Sequence, residues 1–228
     1  MARLKRLVAP GHAHHAVQRA VSGVEAFADA NDRAAFLEAL RRSSTEQGVA
    51  VHAYATRSNE FQLLVTPAGP DALGRFMQAL SRLYVAAFNR RHGRSGALWQ
   101  GRYRAGPVEG GANLLTCMRY IEQVAATADH GDDITWSSGP VHAGLQPAEW
   151  LTGVPADSSY WQLGNTPFER ETAYRALLLQ PLAAHAVAEV EATTLKGWAI
   201  GSGEFLASLA TDGRRPSMLR PGRPRISD

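Results

Sequence analysis

From Glu60 to Val65 the chain runs Glu60-Phe61-Gln62-Leu63-Leu64-Val65, an alternation that a β-strand with two unlike faces accommodates. Side chains two apart on a strand point the same way. Glu60, Gln62 and Leu64 therefore share one face, and Phe61, Leu63 and Val65 the other. A second strand is expected at Val49 to Ala55, and the short Thr56 to Asn59 connection joins the two as a hairpin. Whatever the chain folds into must contain that hairpin, with a polar pair on its return arm.

The elements on either side set the fold class. Arg3 to Arg6 followed by Pro10-Gly11 reads as a basic arm ending in a turn. His12 to Val21 has strand character, with His15, Val17, Arg19 and Val21 on one face. Asn31 is a plausible cap for a helix over Arg33 to Gln47, which has an apolar stripe of Phe36, Leu37 and Leu40 and a stop at Gly48. A helix is expected from Ala72 to His92, ending in the basic stretch Arg90-Arg91-His92-Gly93-Arg94. Trp99 to Val108 holds a fourth strand with Arg102 and Arg104 on one face. Beyond Gly110-Gly111 a helix runs through Leu114, Met118, Tyr120 and Ile121. The order strand, helix, strand, strand, helix, strand, helix is an α+β, ferredoxin-like pattern with an extra helix. Thr127 to Pro147 reads as loop, and Ala148 to Leu209 as short helices at Pro167 to Leu179, Leu182 to Thr194 and Ser202 to Leu209. The expected organisation is a domain over 1–147, a helical segment over 148–211 and a basic, disordered tail over 212–228.

Bulk properties narrow the function classes. A chain of 228 residues with 45% hydrophobic content can bury a core, and no apolar run approaches the roughly 20 residues of a membrane helix. A single cysteine, Cys117, rules out an internal disulfide framework and suits a reducing cytoplasm. The formal net charge is only +3, but Lys5 and Lys196 are the only lysines. Arginine's planar fork grips phosphate with two prongs, which favours a nucleic-acid partner. A GC-rich genome would give the same bias whatever the function.

Several blocks together carry a family resemblance: Pro10-Gly11-His12-Ala13-His14-His15, His52-Ala53-Tyr54, Asn59-Glu60-Phe61-Gln62-Leu63-Leu64, Phe88 to Arg94, Leu98-Trp99-Gln100-Gly101-Arg102-Tyr103, Leu114 to Glu122, Trp136-Ser137-Ser138 and Gly222-Arg223-Pro224-Arg225. In order and spacing they resemble the IS200-like single-tyrosine transposases, specifically the subgroup associated with repetitive extragenic palindromes. The resemblance implies a DNA nickase. In it two histidines of an Asn-His-hydrophobic-His-Leu-Leu strand hold a divalent ion, and a tyrosine on a nearby helix attacks the phosphate. It makes Tyr120, in Met118-Arg119-Tyr120-Ile121-Glu122, the candidate nucleophile. It also implies a third ligand, an asparagine one helical turn later, where this chain has Val124.

The resembled ligand positions thus hold Glu60, Gln62 and Val124. A carboxylate and an amide oxygen bind Mg²⁺ or Mn²⁺ weakly at best, and valine binds none. Losing a metal's transition-state stabilisation slows cleavage by orders of magnitude, so no cofactor is expected and nicking should be weak or absent. DNA binding rests on phosphate contacts and stacking and would survive. Arg90, Arg91, Arg94, Arg102 and Arg104 are candidate backbone grips. Trp99 and Tyr103 are either stacking platforms or core. Arg220, Arg223 and Arg225 resemble an AT-hook for the minor groove, or else form a solvated tail. The histidines His12, His14 and His15 read as structural rather than ligating, and Tyr120 has a packing reading beside the catalytic one.

Three functions remain open on this footing. The first is a transposase-derived DNA-binding protein of the cytoplasm, acting on single-stranded or hairpin palindromic repeats, as a monomer or homodimer and away from membranes. The second is an active nickase and strand-transferase through a 5′-phosphotyrosine at Tyr120, using Glu60, Gln62 and either His15 or His52 with Mg²⁺ or Mn²⁺. The third is the product of a decayed mobile element.

Overall fold

A computed structural model describes residues 6–126, 136–147, 150–210 and 216–217. Its centre is a four-stranded antiparallel sheet made of β1 (Ala13–Arg19), β2 (Val49–Arg57), β3 (Glu60–Pro67) and β4 (Arg104–Val108), in the order β2-β3-β1-β4. Helices α1 (Ala30–Gln47) and α2 (Ala72–Arg91) follow β1 and β3. This strand order and βαββαβ succession are those of the ferredoxin-like fold anticipated from the sequence. α3 (Gly111–Ala126) follows β4. The C-terminal part contributes α4 (Gly139–His142), a 3₁₀ turn at Ser159–Leu163, α5 (Pro167–Leu178), α6 (Ala184–Lys196) and α7 (Gly203–Ser208).

Local chemistry explains most boundaries. The cap of α1 is Asp29, not Asn31, because the Asp29 carboxylate accepts from the amides of Asn31 (2.9 Å) and Asp32 (3.1 Å). Gly48 ends that helix in the left-handed conformation (φ 62°) that a glycine adopts without a Cβ penalty. β1 stops at Arg19, where the chain leaves regular pairing and bridges Ala20 to Trp99. β4 begins only at Arg104, so Arg102 lies in the preceding bend instead of on the strand. Thr166 and Glu169 form a reciprocal capping box at the start of α5. Residues 139–142 are helical where loop was expected, while 127–135 lie outside the described residues.

The two faces of the sheet take different cover. Against α1 and α2, Phe61, Leu63 and Val65 of β3 bury with Phe36, Leu40, Phe76, Leu80 and Tyr84. Trp99 joins them and is buried, and Tyr103 is buried with the Arg6 guanidinium 3.8 Å over its ring. Neither aromatic is an open stacking surface. On the other face Ala53, Ala55 and Leu64 meet Leu114, Cys117, Met118 and Ile121 of α3, with Tyr174 of α5 and Val190 of α6 behind. A bulge between Val51 and Ala53 adjusts the register of β2 so that both sets reach their own face.

Candidate functional site

Strand pairing decides what stands beside the polar pair. β1 runs antiparallel to β3 with Arg19 opposite Glu60, Val17 opposite Gln62 and His15 opposite Leu64. Directly opposed residues share a face, so Glu60, Gln62, His15 and Arg19 all project toward α3 and α6. Four of the relevant side chains form one chain of hydrogen bonds. Gln62 Nε2 donates to Glu60 Oε1 (2.9 Å), and Gln62 Oε1 sits 2.8 Å from His15 Nε2. The far nitrogen of the ring, Nδ1, is 2.7 Å from Thr194 Oγ1 of α6. An amide oxygen only accepts, so His15 carries its proton on Nε2 and accepts from the threonine hydroxyl at Nδ1. Burial pulls the imidazole down to a pKa of about 4, outweighing the Gln62 hydrogen bond and the Glu60 charge that act the other way. The ring is therefore neutral.

Glu60 has a second set of partners. It is buried, yet Arg19 Nε donates to Oε2 at 2.8 Å and the Arg57 guanidinium lies 3.6 Å from Oε1. Two guanidiniums and an amide thus surround one carboxylate, which satisfies a buried charge.

Tyr120 reaches the same place from α3. Its ring meets the His15 ring edge-on, with centroids 5.7 Å apart, and its hydroxyl donates to Glu191 Oε1 of α6 at 3.0 Å. Burial raises the phenol well above its usual range. A hydrogen bond from Gln62 works against that shift, and the Glu191 carboxylate adds to it. His15, Arg19, Gln62, Tyr120, Glu191 and Thr194 border a cleft that leaves about 10 Å³, room for roughly one water. α6 is its roof.

The donors present do not suit a divalent cation. Both oxygens of Glu60 face cationic or amide donors, and the Gln62 oxygen is turned to an N–H. The neutral imidazole has no free lone pair, since Nε2 donates and Nδ1 accepts. Among the described residues no group of three or more His, Cys, Asp or Glu side chains is arranged to hold a metal. His52 is equally engaged, by Gly153 O (2.8 Å) and Thr66 Oγ1 (2.9 Å). His14 bonds to His12 O and accepts from the Ala9 amide.

The arginines expected to hold DNA fall into different settings. Arg91 pairs with Asp29 and Asp32, tying the end of α2 to the cap of α1. Arg94 lies over the Phe88 ring at 5.7 Å. Arg90, Arg102 and Arg104 are exposed. Arg104 pairs with Val17 across β1 and so faces the cleft side of the sheet. Arg220, Arg223 and Arg225 lie outside the described residues. The side chain of Val124 is outside them too. The neighbours of Tyr120 in its motif have structural partners. Arg119 donates to Leu177 O and Gln180 O at the end of α5. Glu122, fully buried, accepts from Ser138 Oγ (2.5 Å), His142 Nδ1 (2.6 Å) and Tyr174 OH (2.5 Å).

Sequence reasoning missed Arg19, Arg57, Glu191 and Thr194. The first two are signalled by register, because pairing β1 and β2 to β3 sets both opposite Glu60. The last two have no local signal: Thr194 lies 179 residues from His15.

Comparison with known proteins bears on the fold. No protein-family model matches the chain, and no curated protein does. Among solved structures, a REP-associated tyrosine transposase bound to a REP hairpin superposes with a TM-score of 0.53 at 12% identity, covering 69% of this chain and 97% of that one. A Deinococcus radiodurans R1 protein provisionally described as a transposase gives a TM-score of 0.36 at 20% identity, covering 46% of this chain and 84% of that one, too low to argue from. No helix among the described residues is long and apolar enough to cross a membrane. The chain has the fold of a REP-associated tyrosine transposase.

Proposed function

We propose that the protein is a transposase-derived DNA-binding protein that recognises single-stranded or hairpin DNA, with metal-dependent cleavage lost or weak. One observation carries this reading: the side chains where the resembled motif places its metal ligands are committed to Arg19, Arg57 and His15. The solved structure of similar fold was bound to a REP hairpin, which supports a palindromic-repeat target. The exposed arginines Arg90, Arg102 and Arg104 are its candidate grips, with Arg94 beside them. Arg91, in this reading, is tied to Asp29 and Asp32 and holds the end of α2 from which Arg90 and Arg94 project. The basic tail with Arg220, Arg223 and Arg225 adds contacts outside the stem. The place of action is the cytoplasm, as a monomer or homodimer.

The second reading, an active nickase using Tyr120, is favoured by the tyrosine's position in the same cleft as His15 and Gln62. Any role for Mg²⁺ or Mn²⁺ in it requires Glu60 to leave its guanidinium partners. Mixing purified protein with labelled hairpin DNA and either ion separates the two. A mobility shift without a covalent protein–DNA adduct supports the binding reading. An adduct that disappears in Tyr120→Phe supports the nickase, and neither signal points to a decayed protein. Converting Glu60→His, Gln62→His and Val124→Asn together should create measurable metal binding by calorimetry if these are the ligand positions.

A further inference from the structure

Across three neighbouring strands Arg57, Glu60 and Arg19 form one row, in register on both sides of Glu60. The carboxylate at its centre is buried, while the flanking Arg57 and Arg19 side chains are 36% and 51% exposed. Arg104, on the next strand, projects from the same face. Resting on the DNA-binding reading above, we infer that Arg19, Arg57 and Arg104 form a metal-independent seat for a DNA phosphate, at the position where the resembled motif would hold a cation.

Two guanidiniums around one carboxylate leave the row with a net positive charge, so a dication approaching Glu60 is repelled and a phosphate is attracted. Arg19 engages Glu60 through Nε, and its terminal amino groups have no partner among the described residues. Those two groups are the prongs that match the oxygens of a phosphodiester. The buried carboxylate holds the guanidinium in place before DNA arrives, so less side-chain freedom is lost on binding. A hydrated dication carries none of this directional preference.

Size determines where the phosphate sits. The cleft beneath α6 has room for about one water, and a phosphate is several times larger. The phosphate therefore rests on the rim, on the exposed sides of Arg19, Arg57 and Arg104. Tyr120 stays under α6 with its hydroxyl on Glu191. The seat grips the backbone without presenting it to the tyrosine.

The test is a fluorescence-anisotropy titration of the full chain against a labelled hairpin oligonucleotide with a single-stranded tail. It is run over a range of salt, with EDTA or with Mn²⁺. Expected are wild-type binding unchanged by EDTA and roughly tenfold losses in Arg19→Ala and Arg57→Ala. The slope of log K against log salt should fall by about 1 in each. Arg19→Lys, which keeps the charge and loses the fork, should restore the slope and only part of the affinity, and it guards against misfolding of the alanine variant. Glu60→Gln gains a net positive charge but loses the carboxylate that holds Arg19, so it should bind within a few-fold of wild type and stay insensitive to EDTA. Release of wild type by EDTA together with loss of binding in Glu60→Gln would overturn the inference in favour of an ion at Glu60. Binding by both alanine variants with wild-type affinity and slope overturns the seat while leaving DNA binding intact. A wild type that binds no hairpin DNA overturns both.

Discussion

Phe61 and Gln62 are neighbours on β3, yet their side chains meet opposite surroundings. Phe61 enters an aromatic cluster in which Phe36 lies 4.8 Å away and Trp99 5.2 Å, with Phe27 and Tyr84 completing it. Gln62 links Glu60 to His15 beneath α6. The first face is held by apolar burial and ring packing, which tolerate pH and salt. The second is held by a directional chain of donors and acceptors, each of which leaves a buried group unsatisfied if its partner goes. One strand supports both because its period of two keeps the sets apart. The stable face fixes the backbone, and the polar face can then vary in chemistry while the fold persists.

The comparison breaks first if the aromatic face does not carry the stability. Phe36 is fully buried among Phe27, Phe61 and Tyr84. Phe36→Ala should cost about 3–5 kcal/mol in urea unfolding. A loss under about 1 kcal/mol would mean that the cluster is loosely packed.

Acid should act through two buried histidines, His15 on the polar face and His14, opposite Val65, on the aromatic side of the sheet. His15 has a folded pKa of about 4 against 6.5 for a free imidazole side chain. Between these values the unfolded chain binds the proton and the folded one does not, so stability is complete above pH 6.5, falls as the pH drops and levels off below about 4. The drop is about 3 kcal/mol for a shift of this size. His14, also lowered to about 4 by burial, adds to the wild-type curve with the same sign. Comparing wild type with His15→Gln in urea melts from pH 7 to 4 isolates the His15 share. Parallel curves would show that the imidazole is not held neutral.

The aromatic face was far more legible in the sequence than the polar one. Phe61, Leu63, Val65, Phe36 and Leu40 announce their faces by period, and Gly48 announces its stop, so the succession of elements and the fold class follow from short-range patterns. The boundary errors were local competitions between similar groups: Asp29 out-competed Asn31 as a cap because its carboxylate reaches two amides. Glu60 and Gln62 were visible as a polar pair, but their partners were not. Arg19 and Arg57 become neighbours of Glu60 only once strands pair. Glu191 and Thr194 become so only once a distant helix docks on the sheet, and no periodicity encodes that. Arg119 and Glu122, read as matches around a nucleophile, turned out to tie α3 to α5, α4 and Ser138, so a motif can be preserved by packing partners as readily as by chemistry.

Gln62→Leu tests the next level down. It keeps the volume roughly and removes the hydrogen bonds to Glu60, His15 and the Tyr120 hydroxyl, leaving the His15 Nε2 proton without an acceptor, and should cost about 1–3 kcal/mol. Equal stability would place water, not Gln62, as the partner that matters.

The smallest effect expected is at Tyr120. Its hydroxyl donates to Glu191, whose side chain is exposed, so water replaces that donor easily, and Gln62, its other partner, keeps its bond to Glu60. Tyr120→Phe should therefore cost only about 1 kcal/mol, with the ring still packed against His15. Glu191→Ala should cost about the same or less, and the double variant should cost less than the sum of the two, because both changes delete one bond. A thermal-melt cycle measures this directly. Strict additivity would mean that the phenol and the carboxylate do not interact in solution and that α6 is not latched over the tyrosine. Coupling of the expected size would show that the polar face is latched over the tyrosine by a single contact of about 1 kcal/mol, whereas the aromatic face opposite is held by a whole cluster of rings.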